Sequence, residues 1–146
     1  MWIKRALLED ISAIEAIEQS ATSAWSRSHI EDEIRHPGGI ALVIRQEHEG
    51  LVGWCCSRLL PPDAELLKIT ILPEFRNSGC GSSLLVEVMK QCLQNGCESL
   101  FLEVRKTNYQ ALSFYRKHGF LQIGLRKDYY GNPLEDGLIL KKFLTY

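Results

Sequence analysis

Arg76-Asn77-Ser78-Gly79-Cys80-Gly81 sets two glycines two residues apart, between an apolar run at 66–72 and a helix-like stretch from Ser82. A strand that turns through glycine into a helix leaves the first N–H groups of that helix unpaired, and such groups bind anions. Gly79 and Gly81 allow close backbone approach because no Cβ intervenes. The spacing excludes two common phosphate loops: no Gly-Lys-Ser/Thr follows, and Leu84 stands at the third glycine position of a dinucleotide fingerprint. Cys80 at a helix start has the setting of an activated thiol, but no histidine is paired with it. Cys55, Cys56, Cys92 and Cys97 read as small core residues. His29, His36, His48 and His118 lack ligand spacing, so no metal site is expected.

The elements that must position this loop follow from periodicity. A strand at 2–7 precedes a helix with Asp10 as its cap and Ile11, Ile14 and Ile17 on one face. Ser28 with Glu31 has capping-box form and opens a second helix, which Pro37-Gly38-Gly39 stops. Residues 40–45 and 51–60 form a hairpin, and a further strand at 65–72 ends before Pro73. From Ser82 the set Leu84, Leu85, Val88, Met89, Cys92 and Leu93 marks a helix with one buried face, closed by Asn95-Gly96. Residues 99–105 alternate, placing Leu100, Leu102 and Val104 on one face and Phe101, Glu103 and Arg105 on the other. Thr107 or Asn108 caps a helix carrying Ala111, Leu112 and Tyr115, which ends at Gly119. Strands at 120–125 and 137–144 complete the order β-α-α-β-β-β-α-β-α-β-β.

The 146 residues are expected to form one domain, 1–146, large enough to bury a core without disulfides. A hydrophobic content of 45% and a charged content of 24% fit a globular chain rather than a disordered one. With a net charge of −1 and basic residues only in pairs such as Lys4-Arg5, direct nucleic-acid binding is not expected. Five cysteines, two of them adjacent, suit a reducing cytoplasm better than a disulfide framework. No secretory h-region opens the chain and no run reaches 18 apolar residues, so a cytoplasmic location without membrane insertion is expected.

The element order and the motif Arg76-x-x-Gly79-x-Gly81 resemble the GCN5-related N-acetyltransferase (GNAT) superfamily, whose pyrophosphate loop reads Gln/Arg-x-x-Gly-x-Gly/Ala. A second motif follows at that family's spacing: Leu102-Glu103-Val104-Arg105, Asn108, Ala111, Phe114-Tyr115 and Gly119-Phe120. Within the superfamily, Leu-Glu-Val-Arg and the later Arg126-Lys127-Asp128-Tyr129-Tyr130 resemble the ribosomal-protein-alanine N-acetyltransferases, the RimI group. The resemblance covers essentially the whole chain and implies an α/β fold with a mixed, mostly antiparallel central sheet flanked by helices. It implies acetyl-CoA as cosubstrate and a protein N-terminus as acceptor, a ribosomal protein in the RimI group, with the protein acting as a monomer or homodimer.

By the same resemblance, Ile69, Thr70 and Ile71 offer main-chain groups to the pantetheine arm. Asn77, Ser78, Gly79, Cys80, Gly81 and Ser82, with Arg76, hold the pyrophosphate, and Asn108 contacts the cosubstrate. Asn77 and Ser78 stand where relatives often carry basic residues, which shifts the load to backbone N–H groups and Arg76. Trp25, Tyr129 and Tyr130 line the acceptor groove or fill the core.

The implied reaction is direct transfer, with Glu103 as general base and Tyr115 as general acid. An amine attacks only when neutral; at pH 7 that costs an α-amine (pKa about 7.7–8.0) about 1 kcal/mol and a lysine (about 10.4) nearly 5. Glu103, beside Phe101, can take the proton directly or through water. Tyr115 can donate to the leaving thiolate, although full proton transfer from an ordinary tyrosine is uphill by roughly 2 kcal/mol. A main-chain N–H near Ile71 would meet the developing oxyanion. Acetylation of small amines or lysine side chains, or a silent CoA-binding module, are the alternatives on the same fold. The plainer roles are a solvated Glu103 paired with Arg105, a core-packed Tyr115 and Asn108 as a cap.

Overall fold

In the computed structural model, which describes residues 1–145, the chain forms β1 (Trp2–Arg5), α1 (Ile11–Glu18), α2 (Arg27–Arg35), β2 (Gly39–Gln46), β3 (Gly50–Leu60) and β4 (Asp63–Ile71). It continues through α3 (Cys80–Gln94), β5 (Ser99–Arg105), α4 (Tyr109–Lys117), β6 (Leu121–Gly131) and β7 (Leu134–Phe143), the expected order of elements. One sheet of seven strands runs β1-β2-β3-β4-β5-β7-β6, antiparallel at every pairing except β4 with β5.

Strand alternation gives this sheet two apolar faces. Ile40, Leu42 and Ile44 of β2 turn toward Leu84, Leu85 and Val88 of α3, with Leu100, Leu102 and Leu140 in the same cluster. Ala41 and Val43 turn the other way, toward Ile11, Ile14 and Ile17 of α1 and Ile30 of α2. Period-two strands and period-3.6 helices thus build a three-layer sandwich of helix, sheet and helix.

The parallel seam is short. β4 and β5 pair only at Asp63–Ser99, Ala64–Leu100 and Glu65–Phe101, after which the two strands diverge. A register shift between Cys56 and Ser57 of β3 leaves Leu67 as the extra residue on β4, and such bulges bend a strand away from its neighbour. Residues 66–71 of β4 therefore keep a main-chain edge without a strand partner on the β5 side.

Several local expectations are corrected. Ser26, not Ser28, caps α2, its hydroxyl accepting from the His29 N–H at 3.2 Å. Asp10 does not cap α1 with its side chain; a 3₁₀ turn precedes the helix, and Oδ2 accepts from the Leu7 N–H at 2.8 Å. α3 begins at Cys80, two residues before Ser82, because Gly79 takes a left-handed φ of 90° and starts the turn itself. The last two strands are longer than expected, and Tyr129 and Tyr130 lie within β6 rather than in a loop before the final strand.

Candidate active site

Divergence of β4 and β5 opens a cleft of about 1220 Å³. Ile69, Thr70 and Ile71 line it from β4, Arg76, Asn77, Gly79, Gly81 and Ser82 from the glycine loop, and Glu103, Asn108 and Tyr115 from β5 and α4. Trp25 of the α1–α2 connection and Tyr130 of β6 also line it. Ser78, Cys80 and Tyr129 do not line it with the rest. The Ser78 hydroxyl bonds the Phe75 carbonyl, Cys80 is buried with its Sγ 3.3 Å from Gln46 Nε2, and the Tyr129 ring packs edge-on against Tyr130.

At the loop, the first helical bond of α3 runs from the Ser83 N–H to the Gly79 carbonyl at 2.9 Å. The N–H groups of Cys80, Gly81 and Ser82 have no partner inside the helix, and the helix dipole adds partial positive charge there. A Cβ on Gly79 would meet nothing within 4 Å, so glycine is required by its φ and not by space. Arg76 is anchored by its Nε, which donates to the Ile71 carbonyl at 3.0 Å. Lys117, at the end of α4, adds a cation to the same cleft. The Ser82 hydroxyl lies 2.9 Å from His118 Nε2, and burial, with the charges of Lys117 and Lys142, holds His118 below the ordinary imidazole range and so neutral at pH 7. Asn108 caps α4 by accepting from the Ala111 N–H at 3.2 Å while also lining the cleft.

On β5 the alternation puts Glu103 toward the cleft. Its Oε1 lies 3.2 Å from Arg126 Nε, and its Oε2 is buried with no hydrogen-bond partner among the described residues. Arg105 does not pair with it, being engaged by Glu135 at 3.3 Å. A buried carboxylate oxygen left open costs free energy unless something else binds it. Tyr115 is 7% exposed, its ring edge-packed between Phe114 at 5.2 Å and Phe120 at 5.5 Å. Burial pushes its hydroxyl above the ordinary tyrosine range. Tyr130 carries the Arg105 guanidinium 4.3 Å over its ring, and burial first, then the negative charge of Glu103, pushes its hydroxyl up. The cleft can therefore hold an anion at the start of α3, an extended arm along β4, and a proton-bearing group at Glu103.

This splayed sheet with a helix start opening into its cleft defines the class. The chain belongs to the acetyltransferase (GNAT) family, whose model matches residues 7–120, and is therefore an acyltransferase. A Bacillus subtilis (strain 168) protein, provisionally named a ribosomal protein bS18-alanine N-acetyltransferase, is 34% identical over 140 residues, covering 94% of this chain and 92% of the relative. The ribosomal protein bS18-alanine N-acetyltransferase of Haemophilus ducreyi is 29% identical over 137 residues, covering 92% of this chain and 91% of its own. The crystal structure of the Escherichia coli ribosomal-protein-S18-alanine N-acetyltransferase superposes with a TM-score of 0.90 at 23% identity, over 99% of this chain and 94% of that one.

Three residues of the cleft region escape sequence reasoning. Arg126 reaches Glu103 from two strands away, and Lys117 is one cation among many. Glu18 is 0% exposed and accepts from the Trp25 N–H and the Thr70 hydroxyl, two residues that line the cleft. Its signal was available: it falls seven residues after Ile11 and four after Ile14, on the apolar stripe of α1.

Proposed function

We propose that the chain, as one domain over residues 1–146, moves an acetyl group from acetyl-CoA to the N-terminal α-amine of a protein, with a ribosomal protein as the acceptor class. The single observation that carries this reading is the buried Oε2 of Glu103 on the cleft wall, a carboxyl oxygen with no hydrogen-bond partner among the described residues. Bound acetyl-CoA supplies a thioester whose carbonyl carbon is the electrophile.

The residues present fit that group. The free edge of β4 at 66–71 offers alternating N–H and C=O groups to an amide-bearing arm, and the start of α3 with Arg76 and Lys117 offers donors to phosphates. Asn108 borders the same cleft. Glu103 accepts the amine proton at Oε2, while Arg126 holds Oε1 and fixes the carboxylate plane. An α-amine is neutral at a cost of about 1 kcal/mol at pH 7, within reach of one carboxylate base, whereas a lysine needs nearly 5. Tyr115 stays protonated because burial opposes its ionisation, so it serves the departing sulfur as a hydrogen-bond donor. Trp25 and Tyr130 border the acceptor end, and the names borne by the B. subtilis and H. ducreyi relatives support a ribosomal acceptor.

The test is acetyl transfer to a panel of N-terminal peptides, including ribosomal sequences, beside lysine-bearing peptides and polyamines. Labelling of peptides at the α-amine is the expected result. Labelling of the small amines alone would overturn it.

A further inference from the structure

α1 ends on a carboxylate, the wrong charge for a helix C-terminus, and that carboxylate is buried. Glu18 Oε2 accepts from Trp54 Nε1 at 2.9 Å and from Thr70 Oγ1 at 2.6 Å. Its Oε1 accepts from the Trp25 N–H at 3.0 Å and lies 3.4 Å from Lys68 Nζ. Lys68 in turn donates to the Ser23 carbonyl at 2.8 Å, and its Nζ sits 5.9 Å over the Trp25 ring. Four donors from β3, β4 and the α1–α2 connection thus converge on one side chain.

One donor to Glu18, the Trp25 N–H, and one acceptor from Lys68, the Ser23 carbonyl, belong to the loop. Ser23 and Trp25 lie on residues 19–26, which join α1 to α2 and line the cleft across from the catalytic strand. Of the other donors, Thr70 and Lys68 belong to the stretch of β4 that has no β5 partner, and Trp54 belongs to β3. The Trp25 ring is then fixed by stacking on His29 at 3.6 Å and by an edge contact with Trp54 at 5.7 Å. No proline stiffens residues 19–26; main-chain bonds from Gln19, Ser20 and Ala21 close its first turn, and the contacts that hold Ser23 and Trp25 to the sheet run through the side chains of Lys68 and Glu18.

We infer that Glu18 is a positioning residue that, with Lys68, clamps the 19–26 loop onto β4 and so sets how tightly the acceptor chain is held. This rests on the acetyl-transfer reading above for the identity of the acceptor, while the clamp itself does not. A glutamine cannot replace it: in either orientation its amide nitrogen faces donors, Trp54 and Thr70 on one side or Trp25 and Lys68 on the other. The fault should appear in acceptor binding rather than in chemistry.

The experiment compares the parent with Glu18→Gln by peptide KM and kcat, acetyl-CoA affinity by calorimetry, and amide exchange over residues 19–26. Loss of hydrogen bonds to a charged group corresponds to about a tenfold or greater rise in peptide KM, with kcat and acetyl-CoA affinity within about threefold of the parent. Exchange of the Trp25 amide should speed up by about tenfold or more. Unchanged KM and exchange, a loss confined to kcat, or an equal loss of acetyl-CoA affinity each overturns the inference. Should Glu18→Gln not fold, Lys68→Met keeps the carboxylate with its Trp54, Thr70 and Trp25 donors and removes the Ser23 bond. It is held to the same pattern, with a rise of about threefold in peptide KM and a like rise in Trp25 amide exchange against kcat and acetyl-CoA affinity equal to the parent's within measurement error, and the absence of both rises overturns the inference. If the parent acetylates no N-terminal peptide, the functional reading falls, and the exchange comparison alone decides the clamp.

Discussion

Tyr115→Phe removes one oxygen from a ring that is otherwise held by Phe114 at 5.2 Å and Phe120 at 5.5 Å, so the packing survives the change. Even an unshifted tyrosine (pKa about 10) is a weaker acid than a thiol near 8.5, and proton transfer to a departing thiolate is uphill by about 2 kcal/mol. Burial pushes Tyr115 further up, which raises that cost and leaves hydrogen-bond donation as its contribution. A hydrogen bond to a charged group contributes about 1.5–3 kcal/mol, so the variant should lose about 10- to 150-fold in kcat. The sign of the pH dependence follows from the same shift. A hydroxyl whose folded-state pKa is raised stays protonated below pH 10, so the parent rate should show no falling limb from Tyr115 between pH 8 and 10. The associated stability is fully present below the unfolded value and is lost progressively as pH rises from there through the folded one. The assay is release of free CoA with a peptide acceptor, beside a melting curve and an acetyl-CoA titration. A variant within about threefold of the parent, binding acetyl-CoA normally, would refute the donor role; a large loss of melting temperature would assign the effect to packing instead.

Glu103→Gln should lower kcat by about 10²-fold or more with little change in acetyl-CoA affinity, since Oε2 has no partner to lose in the free protein; activity within about threefold would remove Glu103 from the reaction. Gly79→Ala forces a Cβ into a φ of 90°, at a cost of about 1–2 kcal/mol, without a clash. It should therefore lower the melting temperature by a few degrees and weaken acetyl-CoA binding together, and a change in neither would show that the loop does not need its left-handed turn. All five cysteines are free and buried, with burial pushing Cys92 up to about 12 and Cys55 higher still. A thiol reagent should therefore label the native protein slowly and all five sites after denaturation, and rapid labelling of a native cysteine would contradict the burial.

Much of this fold was legible because its strands and helices keep strict periods. Alternation from Leu100 to Arg105 gave the facing of Glu103 directly, and it holds in β5. β6 is different. Register shifts between Gln122 and Gly124 and between Arg126 and Tyr130, with Asp128 at a φ of 52°, break the two-residue rhythm. A charged stretch therefore remains in the strand without a pattern to announce it, and Tyr129 and Tyr130 read as lying outside it. The partner of Glu103 was illegible for a related reason: β5 and β6 each pair with β7, and nothing local in sequence links Glu103 to Arg126. The loop at Arg76 was legible as a glycine turn into a helix start, but the anchoring of Arg76 on the Ile71 carbonyl needed the turn's actual path. Glu18 was overlooked because a carboxylate near a helix end reads as solvated; its place on the apolar stripe of α1 signalled burial, and its four donors account for it.

The short seam between β4 and β5 makes the sheet two antiparallel ribbons, β1 to β4 and β5-β7-β6, sutured by three residue pairs. An open strand edge ordinarily invites another chain to lie along it and aggregate. Here the open edge lies in the middle of the sheet, walled by Phe114 and Tyr115 of α4 and by the glycine loop. A slender, flexible molecule can enter that slot lengthwise, but the strand of a second folded protein cannot lie flush against it. The fold thus keeps unpaired main-chain groups ready for a ligand while denying them to self-association, through placement rather than through charges on the edge.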